Sequence, residues 1–173
     1  HVMQQRPEQA VAALETIRDA SKEALRELRG ILNVLRQVDE GDERSPAPGL
    51  ADLGALVEAT SQAGLQVTFI TRGQPRQLPG TVELAAYRIV QESLTNALRY
   101  AHGGSAEVKL VIETGCLTVE IDNTAGTGTE LIAGSGQGIL GMRERAVAVG
   151  GRLEARPRAD GGFRVCAILP LQP

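Results

Sequence analysis

Along the first forty positions, residues that are apolar except for Ser21 recur at alternating intervals of four and three: Ala10, Leu14, Ile17, Ser21, Ala24, Leu28, Ile31, Leu35 and Val38. A repeat of this kind marks a seam between helices. Pro7 and Glu8 suit the first turn of one long helix, and Asp39 to Gly41 suit its end. Leu25 and Leu32 widen the stripe beyond the seam, so this helix is expected to pack against more than one partner helix, as in a bundle or a dimer. A helix lying on the chain's own sheet is the plainer alternative. Residues 41–49, GDERSPAPG, combine charge with proline and glycine and read as a linker. A domain boundary therefore separates residues 1–40 from residues 50–173.

Beyond the linker the period changes repeatedly. Leu53, Leu56, Val57 and Ala59 give helical spacing from Leu50 to Ala63, with Gly64 as its stop. Leu65, Val67 and Phe69 alternate with polar residues and predict a strand. After a loop over residues 73–79, a long helix is predicted from Thr81, a candidate cap, to about Ala101. Its buried faces are supplied by Val82, Leu84, Ala85, Ile89, Val90, Leu94, Ala97 and Leu98. The stretches Ala106 to Ile112 and Cys116 to Asp122 form a predicted hairpin. Residues 124–138, TAGTGTELIAGSGQG, are too rich in Gly and Thr for a regular element and are expected to form a mobile lid. Ile139 to Val149 follows a helical pattern, and strands are predicted around Arg152 to Arg156 and Phe163 to Leu169. The economical arrangement is of the α/β class, a two-layer α/β sandwich with three helices on one face of a mixed sheet.

Composition narrows the function classes. The 173 residues suit one domain plus an appended element. A net charge of -3 leaves no basic footprint for direct nucleic-acid contact, and an aromatic content of 2% argues against base-stacking platforms. The core must instead be built from Leu, Ile, Val and Ala. Cys116 and Cys166 lie in apolar strand patterns with no second ligand nearby and read as buried free thiols. No run is long enough to cross a membrane, so no membrane contact is expected from this chain, which reads as cytosolic and as a piece of a longer protein.

Three places carry candidate chemistry. On the long helix Glu92, Asn96 and Arg99 share one face. Asn96 offers a neutral oxygen suited to Mg²⁺, and Arg99 a charge suited to phosphate. Taken alone, the same face could be merely solvated. Asp122 follows the alternating Leu117, Val119 and Ile121, at a strand's end where a carboxylate could accept a hydrogen bond from a base amino group. Asp-Asn after a strand is also an everyday turn. The sharpest signal is GSGQGILGMRER, in which Gly134, Gly136, Gly138 and Gly141 lead into a helix whose free amides could meet phosphate. The G-x-G-x-x-G within it lacks the preceding strand of a dinucleotide fold, and no P-loop pattern occurs.

Taken in order, YRIVQESLTNALRYA, VEIDNTAG and GSGQGILGMRERAVAVGG resemble the N, D and G boxes of the catalytic domain of sensor histidine kinases. They are most similar to the subfamily that phosphorylates response regulators with LuxR/NarL-type helix-turn-helix output domains. The resemblance spans Leu50 to Pro170, and ALRELRGILNVLR resembles the second helix of that subfamily's dimerisation and phosphotransfer hairpin. It implies the Bergerat-type ATP-binding fold, ATP and Mg²⁺ as ligands, and a response regulator as partner. It also implies a homodimer formed through the N-terminal helix of the full-length protein. By position, Asn96 matches the magnesium-coordinating asparagine and Glu92 the acidic residue one turn before it. Arg99, Tyr100 and His102 match the region flanking the phosphates, and Asp122 matches the adenine-binding aspartate. Gly126 fits the second D-box glycine, while Gly136, Gly138 and Gly141 match the G box, with Gln137, Ile139 and Leu140 between them.

Two departures qualify the resemblance. Thr124 stands where the first D-box glycine belongs, and neither His1 nor His102 has the setting of a phosphoacceptor. The implied activity is transfer of the ATP γ-phosphoryl group to a histidine outside this sequence. The alternatives are a non-kinase ATPase of the same fold, in which Glu92 activates water, and a non-catalytic dimerisation or regulatory module.

Overall fold

The computed structural model describes residues 47–74, 76–101, 103–126 and 137–171. The expected first helix, most of the expected linker, His102, Gly134, Gly136 and most of the expected lid lie outside the described residues.

A 3-10 turn, Leu50–Asp52, leads into helix α1, Leu53–Gln62. Strand β1, Gln66–Gly73, precedes the long helix α2, Gly80–Tyr100. Strands β2, Ser105–Ile112, and β3, Cys116–Asn123, form the predicted hairpin. Helix α3, Gln137–Ala148, is followed by β4, Arg152–Pro157, and β5, Phe163–Pro170. The five strands lie in the order β1-β2-β3-β5-β4. Only β1 and β2 pair in parallel, joined by α2, because a parallel pair needs a long crossover.

Alternation along the strands separates two faces. Ala106, Val108 and Leu110 of β2, Leu117, Val119 and Ile121 of β3, and Val165, Ala167 and Leu169 of β5 are all buried. The three helices cover this face: α1 lies on β1, α2 on β2, β3 and β5, and α3 on β4 and β5. Ala86, Ile89, Val90, Leu94 and Ala97 of α2 are all in the core. Tyr87 is buried among them, and burial raises its phenol above the ordinary value. The opposite face carries charged side chains, among them Lys109 opposite Glu120, joined at 3.0 Å.

Several expectations shift by a residue or two. Helix α2 starts at Gly80, with Pro79 as its cap, and Thr81 makes no side-chain capping bond. The Pro79 carbonyl takes the amides of Val82 and Glu83, which leaves that role to the backbone. Helix α3 includes Gln137 and Gly138, ahead of the apolar pattern, and Gly138 lies against α2. Gly64, at φ +107°, follows α1 as expected. Cys116 and Cys166 are free but half-buried, since both point to the uncovered face.

Candidate nucleotide site

Helix α2 presents Glu92 and Asn96 one turn apart, both half-buried beside α3. Asn96 Nδ2 donates to Glu92 Oε1 at 3.2 Å. That bond fixes the carboxamide with its nitrogen turned toward Glu92, which leaves Oδ1 free to meet a hard cation. Buried beneath them, Ser93 Oγ donates to Met142 Sδ at 3.4 Å and ties α2 to α3.

Gly138 of α3 completes the cluster. A Cβ at Gly138 would collide with Glu92 Oε1 and lie 3.4 Å from Asn96 Nδ2, so a larger residue there must displace the Glu92 side chain. The backbone of α3 at Gly138 thus lies next to Glu92 and Asn96, where a glycine permits close approach of a ligand. Ile139 packs on the core, whereas Gln137 and Leu140 are exposed. Gly141 is half-buried against the Arg145 side chain. Arg99 and Tyr100 are exposed at the end of α2, with the guanidinium 5.9 Å from the ring centroid. Among the described residues, no cluster of three His, Cys, Asp or Glu could hold a metal. Any Mg²⁺ here would depend on Asn96, phosphate and water, the usual magnesium pattern.

Asp122 is not part of this cluster. Leu117, Val119 and Ile121 point to the helices, so Asp122, one residue on, points to the opposite face. Its two oxygens accept from Arg164 Nε and Nη2, each at 2.6 Å, and Arg158 Nη1 lies 3.3 Å away. Hydrogen bonding from Arg164 holds this carboxyl below its ordinary value of 3.8, against the opposing effect of burial. Sequence reasoning missed both arginines, which lie 36 and 42 residues further along the chain. Asn123 shares its row with buried Ala106 and with core-packed Phe163 on the helix side. The apolar alternation carried that signal.

Because the native pKa of Asp122 is lowered, its contribution to stability is fully present above the unfolded value and is lost as the pH falls through the folded one. Asp122→Ala is therefore expected to cost roughly 1–2 kcal/mol at pH 7, discounted for the exposure of Arg164, and to flatten the acid limb of the stability curve. Urea unfolding between neutral and acidic pH would check this. An unchanged acid limb would contradict it.

Thr124 has a structural account of its own. Its amide donates to the Ser105 carbonyl and its Oγ1 accepts from the Ser105 amide, both at 2.9 Å, extending the β2–β3 ladder. No non-glycine residue among those described has a positive φ, so nothing at Thr124 demands glycine. Gly126 is half-buried.

Residues 81–173, from the first turn of α2 to the chain's end, match the family model of histidine kinase-, DNA gyrase B- and HSP90-like ATPases. The chain belongs to that family. Within the family its relatives are sensor histidine kinases. It is 30% identical to the histidine-protein kinase/phosphatase DegS of Brevibacillus brevis over 95% of this chain and 42% of that protein. It is 27% identical to the sensor kinase YxjM of Bacillus subtilis over 99% of this chain and 41% of that one. The chain thus spans about two fifths of the length of these curated relatives. Its fold is that of solved histidine kinases. The histidine kinase domain of the Erythrobacter litoralis blue-light activated kinase matches at TM-score 0.56 and 20% identity, over 94% of this chain and 86% of that one. AdeS of Acinetobacter baumannii matches at 0.56 and 15%, over 96% and 86%. The chain therefore carries a histidine-kinase ATPase domain similar to that of DegS. No helix among the described residues is long and apolar enough to cross a membrane.

Proposed function

We propose that this ATPase domain binds Mg-ATP between α2 and the first turn of α3, and that in the full-length protein it transfers the γ-phosphoryl group to a histidine on a dimeric helical hairpin. The observation that carries the reading is the close approach of Gly138 to Glu92 and Asn96, which sets the backbone of α3 beside a metal-suited oxygen. Asn96 Oδ1 would take Mg²⁺, which supplies charge neutralisation to the phosphates. The α3 amides, with Gln137, Gly138, Ile139, Leu140 and Gly141, would hold the phosphate chain, joined by Gly136 of the lid. Arg99, Tyr100 and His102 would flank it, and Gly126 would begin the lid.

In the transfer itself, the bond from the β,γ-bridging oxygen to the γ-phosphorus breaks as a bond to an imidazole nitrogen forms. ADP leaves, and the imidazole gives up its proton. This domain's part is to position and to neutralise charge, since phosphoryl transfer asks for little more. Residues 1–40 are assigned to the second hairpin helix, 41–49 to the linker and 50–173 to the ATP-binding domain. The phosphohistidine would pass its group to a response regulator with a helix-turn-helix output domain, on the cytoplasmic side.

Calorimetry on the whole chain tests the reading. Mg-ATP or Mg-ADP is expected to bind, and Asn96→Ala to abolish the magnesium-dependent part, with no autophosphorylation of the chain alone. Phosphorylation is expected once an upstream helix bearing a histidine is restored. Failure to bind any adenine nucleotide would overturn the site. Sustained hydrolysis lost on Glu92→Ala would favour an ATPase in which Glu92 activates water.

A further inference from the structure

The space beside Gly141 is filled by an arginine of its own helix. A Cβ built there would meet three atoms, Arg145 Nη1 at 3.0 Å, Cζ at 3.8 Å and Nη2 at 3.9 Å, so the guanidinium and not its stem lies over the glycine. We propose that Arg145 is a phosphate-binding residue of the nucleotide site, and that Gly141 seats its guanidinium beside the Glu92 and Asn96 cluster. The proposal rests on the nucleotide-binding reading above and adds a residue to that same site.

Helix geometry accounts for the placement. Helical side chains lean back toward the N-terminus, so Arg145 extends over the preceding turn, onto the residue four earlier. A glutamate in that place would pair with the arginine. Gly141 offers it room and no partner. Gly138, Gly141 and Arg145 follow one another at intervals of three and four and therefore share one side of α3. That side is turned toward α2, because the adjoining Met142 and Ala146 are buried and Met142 accepts the hydrogen bond from Ser93. Gly141 is one turn from Gly138, about 5–6 Å between side-chain positions. Gly138 in turn is the residue that meets Glu92 and Asn96.

The guanidinium is also available to a ligand. Arg145 is exposed, at the rim of that side. Among the described residues the arginines held in ion pairs are Arg158 and Arg164, and Arg145 has neither a carboxylate nor a hydrogen-bond acceptor in reach. Glu92 brings a negative charge to the cluster, which repels a phosphate chain unless cations offset it. Mg²⁺ at Asn96 would be one such cation. Arg145 supplies a second from the chain itself, and its planar fork of N–H donors matches two phosphate oxygens at once. Arg143, two residues earlier, is exposed on the opposite side of the helix and has no such placement.

Calorimetric titration of the whole chain with Mg-ADP tests this. Arg145→Gln is expected to weaken binding by about 10- to 100-fold, the effect of losing a charge-assisted hydrogen bond. Arg145→Lys keeps the charge without the fork and is expected to lose less. Arg143→Gln removes the same charge from the other side and is expected to change affinity by less than about twofold, since solvent screens it. Gly141→Ala presses a methyl onto Nη1 and is expected to weaken binding while keeping or raising the melting temperature, because alanine favours the helix. Combined with Arg145→Gln it is expected to add nothing, since the group it displaces is gone. Tripolyphosphate, which has neither base nor ribose, is expected to compete for the unmodified chain and about tenfold or more less well for Arg145→Gln. Unaltered Mg-ADP affinity in a folded Arg145→Gln variant would overturn the proposal. An equal loss in Arg143→Gln, or a Gly141→Ala loss that persists undiminished without Arg145, would do so too. Failure of the unmodified chain to bind any adenine nucleotide would instead overturn the nucleotide site as a whole.

Discussion

Replacing Gly138 with valine is expected to lower Mg-ATP affinity by about 10- to 100-fold, the range typical of losing a group that orients a metal ligand. The added Cβ would occupy the position of Glu92 Oε1, and its branches would press further toward the Asn96 carboxamide. Glu92 sits at the flexible end of its side chain and can swing away, so the fold should accommodate the change. The hydrogen bond that orients Asn96 would not survive the swing. Calorimetric titration paired with a thermal melt separates the two effects. Unaltered affinity in a folded Gly138→Val variant would show that the contact between α3 and Glu92 has no part in binding.

Leu94→Ala is expected to destabilise the domain by about 2–5 kcal/mol. Leu94 is fully buried, at 0% exposure, on the side of α2 opposite its polar stripe. It lies in the one helix that touches β2, β3 and β5 together. Little can collapse into the space it would leave, because its neighbours are themselves anchored in the sheet or in the same helix. A loss of that size is a large share of the ~5–15 kcal/mol that holds a typical domain together. Denaturant unfolding would measure it, and a loss below about 1 kcal/mol would mean that the core repacks around the gap.

Much of the fold was legible in the chain. Helical spacing identified α2 almost to its ends, because a helix buried along two sides must repeat its apolar residues at three and four. Alternation identified β2, β3 and β5 for the corresponding reason. The glycines around Gly138 were legible as a place of close approach. What they approach was not, since Glu92 is 46 residues earlier and nothing local connects the two.

Asp122 is the more instructive case. Motif spacing pointed to it, and its carboxylate looked like the natural partner for a base. The alternation of Leu117, Val119 and Ile121 already argued that it faces away from the helices and that Asn123 faces toward them. A motif says which residue types occur together, whereas strand parity says which way each one points.

By itself, then, the sequence determined the order of elements, the apolar faces, the α/β class and the family, because each follows from local periodicity or from short ordered motifs. The tertiary structure alone decided that β5 enters between β3 and β4. That insertion brings Arg164 opposite Asp122 and commits the carboxylate to the outer face. Strand pairing joins residues distant in the chain, and its choice rests on the total burial of all the faces at once, which no local pattern encodes.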